Sequence, residues 1–120
     1  KLGGSYVGGS DYRYHAEISD SNTAYDNTTH AGDSSIHINW SIGNATGECT
    51  NLKFFFDRPS DTDNTKMIYW IGGTINDNGY VGKNMGCGCN MGTEDALTGF
   101  RFFFLDGNIA SGIFTLYGLS

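Results

Sequence analysis

The sequence predicts an all-β domain, an antiparallel β-sandwich of jelly-roll type, on three observations. Glycine fills 18 of the 120 positions and proline only one, while charged residues make up 17%, against roughly 25% in ordinary domains. Aromatic residues reach 14%, and aromatic and β-branched side chains suit the half-buried surface of a pleated strand. The third observation is period two. Apolar and polar residues alternate along several segments, as side chains alternate across a strand.

The first predicted strand runs from Tyr12 to Ile18. Tyr12, Tyr14, Ala16 and Ile18 share one face, and Arg13, His15 and Glu17 take the other. The second repeats the pattern, with Ile36, Ile38, Trp40 and Ile42 set against His37, Asn39 and Ser41. Three denser runs follow. Residues 51–57 hold Leu52, Phe54, Phe55 and Phe56; residues 66–75 hold Met67, Ile68, Tyr69, Trp70 and Ile71; residues 99–105 hold Phe100, Phe102, Phe103, Phe104 and Leu105. Runs apolar on both faces fit strands covered on both sides, at a sheet interface or between subunits. Ile109 to Leu119 is the last strand.

The connections carry turn chemistry. Pro59 stops the strand before it, and the polar stretch 58–64 turns the chain. Asn76-Asp77-Asn78-Gly79 is a loop tip, and Asp106-Gly107-Asn108 signals a hairpin. The polar segment 19–33 and the Gly-, Asn- and Met-rich segment 82–95 read as long loops. The predicted core is Ile36, Ile38, Trp40, Phe54, Phe56, Phe102, Phe104, Phe114 and Leu116.

A chain of this length suits one domain, residues 1–120. Six strands are few for two sheets, and Lys1 stands inside a patterned region. The expectation is therefore the C-terminal part of a longer protein, with further strands ahead of Lys1. Net charge is −6, and Arg13, Lys53, Lys66 and Arg101 form no stripe. Phosphate backbones are bound by clustered Lys and Arg, so nucleic acid is not an expected partner. No apolar run reaches the ~18 residues that signal a membrane helix, and no secretory signal opens the chain.

Candidate chemistry is sparse. Cys49, Cys87 and Cys89 are disulfide candidates, and an odd number cannot all pair within one chain. Cys87 and Cys89 are too close for an easy mutual bridge, so either could join Cys49. The same three thiols fall short of a four-ligand zinc set. Asp61 and Asp63 are candidate oxygen ligands in a turn, but the spacing lacks the later Glu of a calcium loop. No metal or other cofactor is expected. His15, His30 and His37 lack any serine placed by a Gly-x-Ser-x-Gly elbow, so no catalytic residue is assigned and no enzyme is expected. Tyr25 and Tyr80, with Tyr6, lie in predicted loops, where a ring could stack on a sugar or anchor a partner. Asn27, Asn39 and Asn44 open glycosylation sequons, which matter only in a eukaryotic secretory setting.

Two stretches resemble a known family. Ser10-Asp11-Tyr12-Arg13-Tyr14 is similar to a segment of a widespread group of tailed-bacteriophage virion proteins. Residues 100–120 resemble that group's closing hairpin, through Phe100-Arg101-Phe102, Asp106-Gly107-Asn108-Ile109-Ala110-Ser111-Gly112 and Phe114-Thr115-Leu116-Tyr117-Gly118. The resemblance implies the C-terminal β-sandwich of a tail or tail-fibre structural protein, located in the virion and assembled in the host cytoplasm. It implies further strands ahead of the Ser10 region. A homotrimer, contact with other virion proteins, and a host-surface glycan or protein as receptor follow by analogy with fibres. The three cysteines depart from the family pattern. A free carbohydrate-binding module and a capsid decoration protein are the alternatives.

Overall fold

The computed structural model describes residues 9–22, 26–39, 42–104, 109 and 111–118. Within them the chain is all-β, with five strands: β1 (Tyr12–Asp20), β2 (Asp26–Asp33), β3 (Cys49–Phe56), β4 (Met67–Ile75) and β5 (Val81–Asn90). They form one antiparallel sheet in the order β2-β1-β5-β4-β3. The antiparallel all-β class predicted from the sequence is present.

Three predicted strands fall where the sequence placed them, as β1, β3 and β4. The central strand, β5, occupies a segment predicted to be a loop. Its inward positions explain the difference. Tyr14 pairs with Gly88, Ala16 with Gly86, and Ile18 with Asn84. A side chain at Gly86 would collide with the Trp70 ring, and one at Gly88 would come within 2.8 Å of Ile36 and 3.1 Å of Tyr14. The glycines admit the large side chains of neighbouring segments, so a strand position looks like a loop in the sequence.

The other unpredicted strand, β2, is mostly polar and among the described strands pairs only with β1. An edge strand can be polar on both faces, and polar edges discourage unwanted pairing. It therefore lacks an alternating apolar signal.

Conversely, three predicted strands are not in the sheet. Among the described residues, 36–39, 42–44, 99–104 and 111–118 belong to no ladder. Ile36 and Ile38 pack against a core of Tyr14, Ala16 and Trp70, together with Leu52 and Phe54. Phe100 stacks on Phe56 with ring centroids 4.6 Å apart, and Phe102 meets Phe54 at 4.7 Å. One face of the sheet, here the inner face, is thus covered by segments that lie outside the ladders.

The predicted core needs correction at its C-terminal end. Phe104, Phe114 and Leu116 are 38%, 67% and 76% exposed, because no strand among the described residues pairs with residues 111–118 to bury them. Trp70 and Tyr14, omitted from that core, are 2% and 3% exposed. Trp40, Leu105 and the Asp106-Gly107-Asn108 turn lie outside the described residues.

Candidate interaction surface

The outer face of the same sheet carries the odd residues of β1, β3, β4 and β5. The ladders align them into rows. Phe55, Tyr69, Cys87 and His15 form one row, and Lys53, Ile71, Met85 and Glu17 form the next. Phe55 is 51%, Tyr69 46%, Ile71 48% and Val81 65% exposed. Phe55, Tyr69 and Ile71 are neighbours, and large apolar side chains left open together on one face form a patch of the kind that marks an interaction surface; Val81 stands two rows further along, past Lys83. The sequence did carry a signal for it, since β3 and β4 are apolar on both faces. It did not say which face stays open.

A second apolar surface lies near the C-terminus. Ile113 is 95%, Phe114 67%, Leu116 76% and Tyr117 81% exposed. Phe114 still stacks on Phe102 at 5.6 Å, which tethers the segment beside the inner face.

The candidate residues named from the sequence do not converge. Tyr80 is partly buried, and its amide donates to Asn76 Oδ1 at 3.0 Å while its carbonyl accepts from the Asn76 amide at 3.1 Å. It closes the β4–β5 turn. Tyr6 and Tyr25 lie outside the described residues. Asp61 accepts from the Asp63 amide at 2.7 Å and from Asn64 Nδ2 at 3.0 Å. The Asp63 amide, then the Asn64 side chain, hold its carboxyl below the usual carboxylate range. That is turn chemistry. Among the described residues no group of three or more His, Cys, Asp or Glu side chains could hold a metal ion.

All three thiols are free. Cys87 and Cys89 both face outward from β5, whereas Cys49 starts β3 on the row of Ile75 and Val81. Six residues of strand separate that row from Cys87's, about 20 Å at ~3.4 Å per residue, far beyond the ~7 Å limit between Cα atoms of a bridge. Pairing of Cys49 with Cys87 is not made, and the same argument applies to Cys89, one row further on.

The histidines fall on both faces. His15 pairs across the ladder with Cys87, but its Nδ1 hydrogen-bonds Thr29 Oγ1 at 2.9 Å and its Nε2 lies 3.5 Å from Glu17 Oε1. Both ring nitrogens are directed at groups other than the thiol. On the inner face Tyr14, His30 and His37 stack, with centroids 5.1 to 6.4 Å apart. Asp33 sits at their rim, 3.4 Å from the Tyr14 hydroxyl and 3.6 Å from His30 Nδ1. Burial first, then the charge of Asp33 and its hydrogen bond, push the Tyr14 phenol up to about 12.

Comparison with protein-family models, curated proteins and solved structures found no match to this chain.

Proposed function

We propose that this chain is a non-enzymatic structural module of a bacteriophage virion, in the tail or tail fibre, that works by packing against other copies of itself and against virion proteins. The observation that carries the reading is the open apolar face of the sheet, where Phe55, Tyr69, Ile71 and Val81 stand exposed. A surface of that kind gains stability when a partner removes it from water. The resemblance of Ser10–Tyr14 and of residues 100–120 to tailed-phage virion proteins supplies the setting. A host-surface glycan or protein is the external partner such a module would meet.

The rival reading, a free carbohydrate-binding module, was motivated by loop tyrosines. Of the three loop tyrosines Tyr80 alone is among the described residues, and it is partly buried with its backbone tied into a turn. The test is antibody labelling of purified virions. Label on the tail or fibre supports the reading. Label spread over the head moves it to a capsid decoration protein. A chain recovered only as free protein overturns it.

A further inference from the structure

Among the described residues the outer face carries five charges; four of them, Arg13, Glu17, Lys53 and Asp57, frame its apolar centre, and Lys83 stands one row beyond Glu17, beside Gly73. Arg13 and Glu17 stand on β1, two rows apart. Lys53 stands on β3 in the row of Glu17, through Ile71 and Met85. Asp57 follows β3, its amide bonded to the Met67 carbonyl at 3.0 Å, and so continues the row of Met67, Cys89 and Arg13. The corners therefore alternate in sign around the patch: Arg13 positive, Glu17 negative, Lys53 positive, Asp57 negative. Arg58 lies 3.2 Å from Asp57 but is shared with Asp61 at 3.5 Å, so that corner keeps a net negative charge. Tyr69, Ile71, Met85 and Cys87 fill the centre.

A rectangle of alternating charges is complementary to itself. Turn a copy over about an axis parallel to the strands, between β4 and β5, and the rows stay level while β1 lies over the other copy's β3. Arg13 then meets Asp57 and Glu17 meets Lys53. Turn it instead about an axis across the strands, through the row of Tyr69. Each strand lies over its own counterpart, Arg13 meets Glu17, and Lys53 meets Asp57. Either in-plane two-fold sets opposite charges against each other at all four corners and closes the apolar strip between two sheets. Sheets stack about 10 Å apart, within reach of Arg and Lys from one side and a carboxylate from the other. Two-fold contacts of one patch with itself are the commonest way identical chains associate.

We propose that a second copy of this chain packs face to face on the outer surface of the sheet, related by a two-fold axis in the sheet plane. The proposal rests on the self-association reading above and gives it a surface and a symmetry. It also supplies the second sheet that the two-sided apolar runs of β3 and β4 call for.

The experiment is sedimentation velocity on the 120-residue chain at about 0.15 M salt, where exposed charges are screened beyond ~8 Å. The expected species is a dimer. Lys53→Glu puts like charges at two contacts and should weaken it by about tenfold or more, and Tyr69→Asp should abolish it, with circular dichroism unchanged for both. Mixing Lys53→Glu with Glu17→Lys restores a heterodimer if the axis runs along the strands. Mixing Lys53→Glu with Asp57→Lys restores it if the axis runs across them. A monomeric native chain overturns the proposal. So does a trimer, a dimer indifferent to Lys53→Glu and Tyr69→Asp, or rescue by neither mixture. In each of those cases label on virions would leave the virion reading standing, so the two failures are told apart.

Discussion

The indole Nε1 of Trp70 donates to Asn84 Oδ1 at 2.8 Å, between side chains that are 2% and 0% exposed. This bond joins β4 to β5 in the middle of the sheet, and the Asn84 Nδ2 beside it has no hydrogen-bond partner among the described residues. A buried donor that loses its acceptor costs ~1–3 kcal/mol. Asn84→Leu should therefore destabilise the chain by about 2 kcal/mol, and Trp70→Phe by a similar amount, since it leaves the Asn84 oxygen unmet. The double variant removes both unmet groups and should cost less than the sum. Urea midpoints of the four proteins check this. Strict additivity would mean the bond contributes nothing of its own.

The glycines of β5 make a second prediction. Gly86 faces Trp70, and an added methyl group would collide with the ring and come within 2.5 Å of the His15 carbonyl. Gly86→Ala should lower stability by ~1–3 kcal/mol, the usual cost of forcing extra volume into a packed site. A methyl group added at Gly118 would meet nothing within 4 Å among the described residues, so Gly118→Ala should leave the thermal midpoint unchanged. Equal midpoints for the two variants would place Gly86 away from the ring.

These sites mark where the sequence could and could not be read. The strands β1, β3 and β4 were legible because each puts apolar residues on the inner face at period two or in a dense run. The strand β5 was not, because the bulk on its inner face belongs to Trp70, Tyr14 and Ile36, contributed from elsewhere. Residues 36–39 and 99–104 read as strands because Ile36, Ile38, Phe100 and Phe102 are apolar to pack on the sheet's inner face, although neither segment is in a ladder. The outer face was foreshadowed by Phe55, Tyr69 and Ile71, but its charged corners depend on register across four strands. Register is set by tertiary pairing and is absent from local pattern.

Alkaline pH should weaken the fold through Tyr14. Its phenol ordinarily titrates near 10 and is pushed up to about 12, first by burial and then by Asp33. The folded value is raised, so the stabilisation is complete below pH 10 and is lost as pH rises through 12. Other groups also titrate there, and Tyr14→Phe isolates this one. The stability difference between native and Tyr14→Phe should stay flat below pH 10 and fall between 10 and 12. A difference flat throughout would mean that Tyr14 is not confined as described.

Thiol labelling should proceed in a fixed order. Cys49 is exposed, while Cys87 and Cys89 are partly buried on β5. Burial is the first cause pushing the Cys89 thiol up, with Cys87 adding to it and Arg13 opposing. The thiolate is the reacting form, so Cys49 should label first and Cys89 last in peptide mass maps. Labelling of Cys89 as fast as Cys49 would contradict its partial burial.

Phe102 and Leu116 should respond differently to a buried or added charge. Phe102 is flanked by Phe54 at 4.7 Å, Phe100 at 5.5 Å and Phe114 at 5.6 Å, and it covers the edge of the inner face. Phe102→Asp removes those ring contacts and places a carboxylate among them. Losing a packed phenylalanine alone costs ~3–5 kcal/mol, a large share of the ~5–15 kcal/mol that holds a typical domain together. The variant should be unfolded or nearly so by circular dichroism. Leu116 stands 76% exposed, so Leu116→Asp gives up little burial and should keep the native thermal midpoint. If residues 111–118 were instead a buried strand, as their apolar pattern suggests, both substitutions would unfold the chain. The pair therefore separates a C-terminal segment that awaits a partner from one already inside the core.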